Sequence, residues 1–306
     1  MTAPEPAGPP RWRRLRAASQ VVWMALVAVF TVRFALRHGH ELAALDVAAD
    51  PATWAVAFAW ILAAKGAISL MVHQAWRAAG AHMGLGPAVY TYNLSQLPKY
   101  LPGGVWPYVS RVRMARARAV DLPRIGGGLA LETAFLLGGA MVLAALTVDA
   151  GAVVGTAGAA ATGVAGLERW VPALRGGVLT VLAMAWVVVY RRSVRRSSLL
   201  LATGLALVAW IFIGLSFHTV VAGLASAEPG VGVAGLFALA WGVGFVAVFS
   251  PAGIGVREVI LGVGLASWGA PATVAAMVVG HRLLYVAADV VCALCARLLF
   301  PPGDRA

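Results

Sequence analysis

The chain is short of charge. Only 12% of its 306 residues are Asp, Glu, Lys or Arg, against roughly 25% in a globular domain. With 61% hydrophobic residues and a mean hydropathy of +0.84, this excludes an ordinary soluble fold. Acidic residues are the scarcest, 12 against 24 basic. The resulting net charge of +12 invites a nucleic-acid reading, but the arginines stand in short clusters beside apolar runs, the positive-inside pattern of membrane proteins. Cysteine is nearly missing. Cys292 and Cys295 form a lone C-x-x-C within an apolar run, which reads as packing residues rather than a zinc or redox pair. A Gly-x-x-x-x-Gly-Lys-Ser/Thr phosphate loop is absent, which excludes a P-loop nucleotide-driven pump. Paired-carboxylate metal motifs and a Ser/His/Asp constellation are absent too. No metal and no cofactor are expected.

What the chain has is apolar runs of membrane-crossing length. Eight are predicted, at 17–36, 54–72, 125–147, 176–190, 197–224, 230–249, 256–268 and 272–299. Arg11, Arg13, Arg14 and Arg16 precede the first, which reads as an uncleaved anchor after a basic, disordered N-terminus over 1–16. Placing that terminus inside puts Arg111 to Arg124 and Arg191 to Arg196 on the cytoplasmic face, while the outer loops receive Glu41, Asp46, Asp50, Asp149, Glu168 and Glu228. Counting 151–166 as a further span would move Arg191 to Arg196 outside, so an outer loop is predicted there. The expectation is an all-α polytopic protein of the cytoplasmic (plasma) membrane with both termini cytoplasmic. It has one transmembrane domain over 17–300, with halves 17–190 and 197–299, and a short tail at 301–306. A basic inner face also attracts anionic lipids.

Two segments break the pattern. Gln96 to Arg111 holds Pro98, Pro102, Gly103, Gly104 and Pro107, and Ser250 to Glu258 holds Pro251, Gly253 and Gly255. Proline and glycine at this density forbid a continuous helix. The backbone groups they leave bare cannot face lipid tails, so both segments are expected to be buried in protein or to line a wet cavity. With two spans before and two after each break, the order suggests a 4+4 duplication of parallel orientation, about an axis along the membrane normal.

Ionisable residues inside apolar runs mark function by default. Here they are Lys65, Glu132, His218, Arg257, Glu258, His281, Arg282 and Asp289. Arg282 and Asp289 are seven residues apart and share a helix face. His218 and His281 read as packing residues, and Lys65 as snorkelling or paired with Glu132. Arg257 and Glu258 read either as a pair capping the seventh span or as part of a site. Glu132 reads either as a structural counter-ion or as part of that site. Lys99, Arg111 and Arg257 lie beside helix restarts, whose free N–H groups suit an anion, and guanidinium matches phosphate oxygens. Tyr90, Tyr92, Tyr100, Trp106 and Tyr108 fit an interfacial aromatic belt.

The string Leu97-Pro98-Lys99-Tyr100-Leu101-Pro102-Gly103-Gly104-Val105-Trp106, followed by Arg111 and Glu132, resembles the lysylphosphatidylglycerol synthase transmembrane-region family of flippase-like proteins. Pro251-Ala252-Gly253-Ile254-Gly255-Val256-Arg257-Glu258, with Arg282 downstream, is similar to that family's second signature, with Ala252 where glycine is usual. The resemblance implies a membrane region that moves lipids between leaflets. The family's soluble lysyl-transfer domain is not expected in this chain, and with it no lysyltransferase activity. Stand-alone relatives are linked to polyprenyl-phosphate, glycolipid or hopanoid pathways, which leaves the lipid open.

The leading expectation is therefore binding and transbilayer movement of an anionic or phosphate-bearing lipid. Lys99, Arg111, Arg257 and Arg282 would neutralise the headgroup, and Glu132 and Glu258 would orient those cations. Pro102, Gly103, Gly104, Pro251, Gly253 and Gly255 would shape the backbone. The alternatives are an integral membrane transferase with Glu132 or Glu258 as general base, and a membrane partner of a separate transferase.

Overall fold

A computed structural model describes residues 50–100, 105–148, 171–193, 195–225, 228–247, 253 and 255–300. The predicted first span, the predicted outer loop at 151–166 and the motif residues Pro102, Gly103, Gly104 and Pro251 lie outside them. Every element among the described residues is helical: α1 (Pro51–Ala78), α2 (Leu85–Gln96), a 3-10 turn (Leu97–Tyr100), α3 (Trp106–Arg116), α4 (Leu122–Thr147), α5 (Val171–Arg192), α6 (Arg196–Leu224), α7 (Gly232–Val246), α8 (Val256–Gly264) and α9 (Pro271–Leu299).

Local chemistry sets the ends of these helices. Asp50 opens α1 by accepting a hydrogen bond from the Ala52 N–H at 3.1 Å, with Pro51 at the first position, where its missing N–H costs nothing. Pro271 likewise stands first in α9, and Pro123 second in α4. Gly80, at φ +82°, turns the chain after α1.

Four helices are long and apolar enough to cross a membrane: α1, α4, α6 and Pro172–Arg191 of α5. They correspond to four of the predicted spans. α9 matches the last one and is 29 residues long, with Arg282 and Asp289 inside it. The predicted sixth and seventh spans are shorter than expected. α7 has 15 residues and α8 only nine, about 22 and 14 Å at 1.5 Å per residue, where a hydrocarbon core is about 30 Å thick.

These short helices fold back on each other. Gly244, near the end of α7, lies against Arg257 at the start of α8, and Leu236 near the start of α7 lies against Gly264 at the end of α8. α2 and α3 do the same: Arg111 Nε donates to Ser95 Oγ at 2.7 Å, and Arg118 reaches Thr91. The chain thus contains two short helical hairpins, each with a Pro/Gly break at its tip. Three longer pairings hold them. α1 and α6 run antiparallel, with Thr53 against Gly223, Ser216 Oγ donating to the Ala57 carbonyl at 2.8 Å, and Arg195 beside His82 at the far end. α4 and α7 are antiparallel, with Val148 against Gly235 and Met141 against Gly242. α2 and α9 are antiparallel, with Phe300 against Gly86.

Close approach through small residues is what holds helices together where lipid removes the hydrophobic drive. Trp76 fills the space over Gly128, Trp210 that over Gly139 and Trp54 that over Gly280. A Cβ on Gly235 would stand 2.4 Å from Thr147 Oγ1 and 2.7 Å from the Val148 nitrogen. Gly235→Leu is therefore expected to destabilise the bundle by about 1–3 kcal/mol through overpacking, while Gly176→Ala, with nothing within 4 Å, leaves it unchanged. Thermal unfolding in detergent checks this, and equal melting temperatures for the two variants would refute the packing assignment.

Candidate functional site

The tips of the two hairpins converge on one cavity of about 410 Å³. Its wall takes Lys65 from α1, Lys99 and Tyr100 from the 3-10 turn, Arg111 from α3, Glu132 from α4, Arg257 from α8 and Arg282 from α9. The four cations expected at the headgroup site, Lys99, Arg111, Arg257 and Arg282, thus all reach it, with Glu132.

Each carboxylate is tied down. Glu132, 1% exposed, forms an ion pair with Arg111 and accepts a hydrogen bond from Trp76 Nε1 at 3.0 Å. Arg111 lies between rings, 5.0 Å from the centre of Tyr92 and 5.6 Å from that of Tyr108. Glu258 pairs with Arg282 across α8 and α9 and accepts the Gly255 N–H at 2.6 Å. That bond uses one of the free N–H groups at the α8 restart, so the protein's own carboxylate occupies part of the position expected for a guest anion. The two pairs differ in wetness: Arg111 and Glu132 side chains are 6% and 1% exposed, Arg282 and Glu258 both 28%.

Asp289 holds the third cluster. It is buried and pairs with Lys65, with Lys99 Nζ at 2.6 Å, and with the Tyr100 hydroxyl, which donates at 2.5 Å. Lys65 therefore pairs with Asp289 and not, as expected, with Glu132, because Arg111 already holds that carboxylate. The spacing of Arg282 and Asp289 flagged the right helix face, but the distant partners Lys65 and Tyr100 had no sequence signal beyond lying in apolar or broken runs. Tyr92, Tyr100 and Tyr108 face the cavity rather than forming only an interfacial belt.

Arg257 differs from the other cations. It lies 5.4 Å from the centre of the Trp241 ring, and its buried Nε has no hydrogen-bond partner among the described residues. Gly244 and Gly253 make room for it: a Cβ at either would come within 3.0 Å of the Arg257 side chain. Gly253 and Gly255 have φ of +71° and +87°, a region other residues enter only under strain. Both glycines are thus required for the α8 tip. His281 packs edge-on against Phe217 and Phe237 and contacts Ser216 Oγ at 3.1 Å, and His218 reaches the Pro229 carbonyl at 2.9 Å, so each is held in a packing role.

No family model and no curated protein matches this chain.

Removing one partner of a buried ion pair costs about 3–5 kcal/mol. Asp289→Asn leaves two lysines facing each other and is expected to lower the melting temperature in detergent far more than Glu258→Gln, whose partner is partly hydrated. Equal shifts would show that Asp289 is not the stronger anchor.

Proposed function

We propose that this chain is an integral membrane protein that binds an anionic lipid headgroup and moves it between leaflets. The observation that carries this reading is the cavity ringed by Lys65, Lys99, Arg111, Arg257 and Arg282, where two broken hairpins meet inside a bundle of apolar helices. These five cations are answered by three carboxylates, Glu132, Glu258 and Asp289, and the excess positive charge suits an anionic guest. The transferase alternative requires a free general base, whereas Glu132 and Glu258 are each engaged by two donors, which favours their role as orienting counter-ions.

We read α2–α3 and α7–α8 as re-entrant hairpins dipping from opposite faces, with α1, α4, α5, α6 and α9 crossing and the predicted 17–36 anchor completing the set. This keeps both termini and the clusters Arg111–Arg124 and Arg191–Arg196 on the cytoplasmic face of the plasma membrane. The pairings α1 with α6, α2 with α9 and α4 with α7 exchange among themselves when α1–α4 is superposed in order on α6–α9. Helices related by an axis along the membrane normal run parallel, and these run antiparallel. We therefore replace the expected parallel duplication by an inverted one, with its axis in the membrane plane. Each half carries an Arg/Glu pair between its second hairpin helix and the next long helix, with the order of signs reversed: Arg111–Glu132 and Glu258–Arg282. Their unequal exposure supports a resting state closed on one side, and exchange of the two pairs would expose the cavity alternately. The kinship with the lysylphosphatidylglycerol synthase transmembrane region belongs to this proposal, supported by the place of the described motif residues Lys99, Tyr100, Gly253 and Arg257 at the cavity wall.

Two experiments test this reading. In proteoliposomes, Arg257→Gln combined with Arg282→Gln is expected to abolish movement of a labelled anionic lipid while the protein stays folded; unchanged movement overturns the proposal. For orientation, single cysteines at Ala119 and Ser267, in a background without Cys292 and Cys295, should label from opposite faces with an impermeant maleimide. Labelling of both from one face would overturn the inverted arrangement.

A further inference from the structure

Resting on the reading just proposed, we propose that the site selects a dianionic phosphomonoester headgroup over the singly charged phosphodiester of common phospholipids. The argument is charge balance. Five cationic side chains line the cavity: Lys65, Lys99, Arg111, Arg257 and Arg282. Three carboxylates answer them, Glu132, Glu258 and Asp289, each already paired. Among the described residues this leaves two positive charges in excess: one from the two lysines that share the single Asp289 carboxylate, and one from Arg257, whose buried Nε has no hydrogen-bond partner there.

An uncompensated charge buried in an apolar bundle is costly, so a ligand that supplies the missing charge gains what the apo site lacks. A phosphomonoester carries about −1.5 to −2 at neutral pH and three strong acceptor oxygens. It answers both excess charges together, while a phosphodiester answers one. A headgroup bearing an ammonium would add positive charge where there is already too much. The excess charges stand on opposite hairpins, Lys99 at the first break and Arg257 at the second. One doubly charged group between them would bridge the two tips, and Tyr108 at the cavity wall offers a hydroxyl donor to one of its remaining oxygens.

The test is native mass spectrometry of the detergent-purified protein with two lipids of identical acyl chains, dioleoyl phosphatidic acid and its methyl ester, dioleoyl phosphatidylmethanol. They differ by one charge and one methyl group. Phosphatidic acid is expected to bind at least tenfold more tightly. Arg257→Gln should remove most of that preference and Arg257→Lys should keep it, with melting temperatures confirming that both variants are folded. Equal binding of the two lipids overturns the dianion inference and leaves the anionic-lipid reading standing. Retention of neither lipid, with no stabilisation by phosphate, overturns both. A third arm adds inorganic phosphate alone and follows thermal stabilisation. Stabilisation by millimolar phosphate without lipid retention supports dianion selection but assigns the site to a soluble phosphate, and the lipid reading falls.

Discussion

A buried carboxylate with more donors than it can neutralise holds this structure together. Asp289 joins α1 through Lys65, the first hairpin tip through Lys99 and Tyr100, and α9 through its own backbone. Without it, Lys65 of α1 and Lys99 of the turn after α2 would face each other in a region that solvates neither. With it, the turn Leu97–Tyr100 is tied to α1 and α9 at the wall of the cavity. The second hairpin is fixed more loosely, by Glu258 closing on its own helix start and on Arg282. The site is thus rigid on one side and partly hydrated on the other, from ion pairs of the same chemistry.

Much of this was legible in the chain. Long apolar runs gave α1, α4, α5 and α6 directly, because in lipid a segment must satisfy its own backbone and length then decides. The breaks were visible as proline and glycine density, and the charges near them reach the cavity. The runs 230–249 and 256–268 fold as the shorter helices α7 and α8, and Gly253 and Gly255, both at positive φ, stand between them. The partner of Lys65 was not legible for a different reason. Lys65 and Asp289 are 224 positions apart, and helix periodicity speaks only about neighbours within one helix.

Packing and charge divide the work between the bundle's two regions. Away from the cavity wall, glycines receive tryptophan rings, Trp76 over Gly128 and Trp54 over Gly280. Around the cavity the fit is electrostatic, with aromatic faces over Arg111 and Arg257 in place of further carboxylates. Rings stabilise a guanidinium without cancelling its charge, so these arginines are steadied while still able to attract an anion.

α5 has a part that its own surroundings do not suggest. Its apolar window is entirely unburied within the protein and it touches the bundle chiefly through α4, so it adds little to the core. In the inverted arrangement proposed above, it is the single described crossing between α4 and α6, and one crossing reverses the direction in which everything after it is laid down. Two separate copies of an ancestral half, inserted in opposite senses, would need no such helix. Joining them into one polypeptide does, and α5 is then a linker measured in membrane thicknesses rather than in residues.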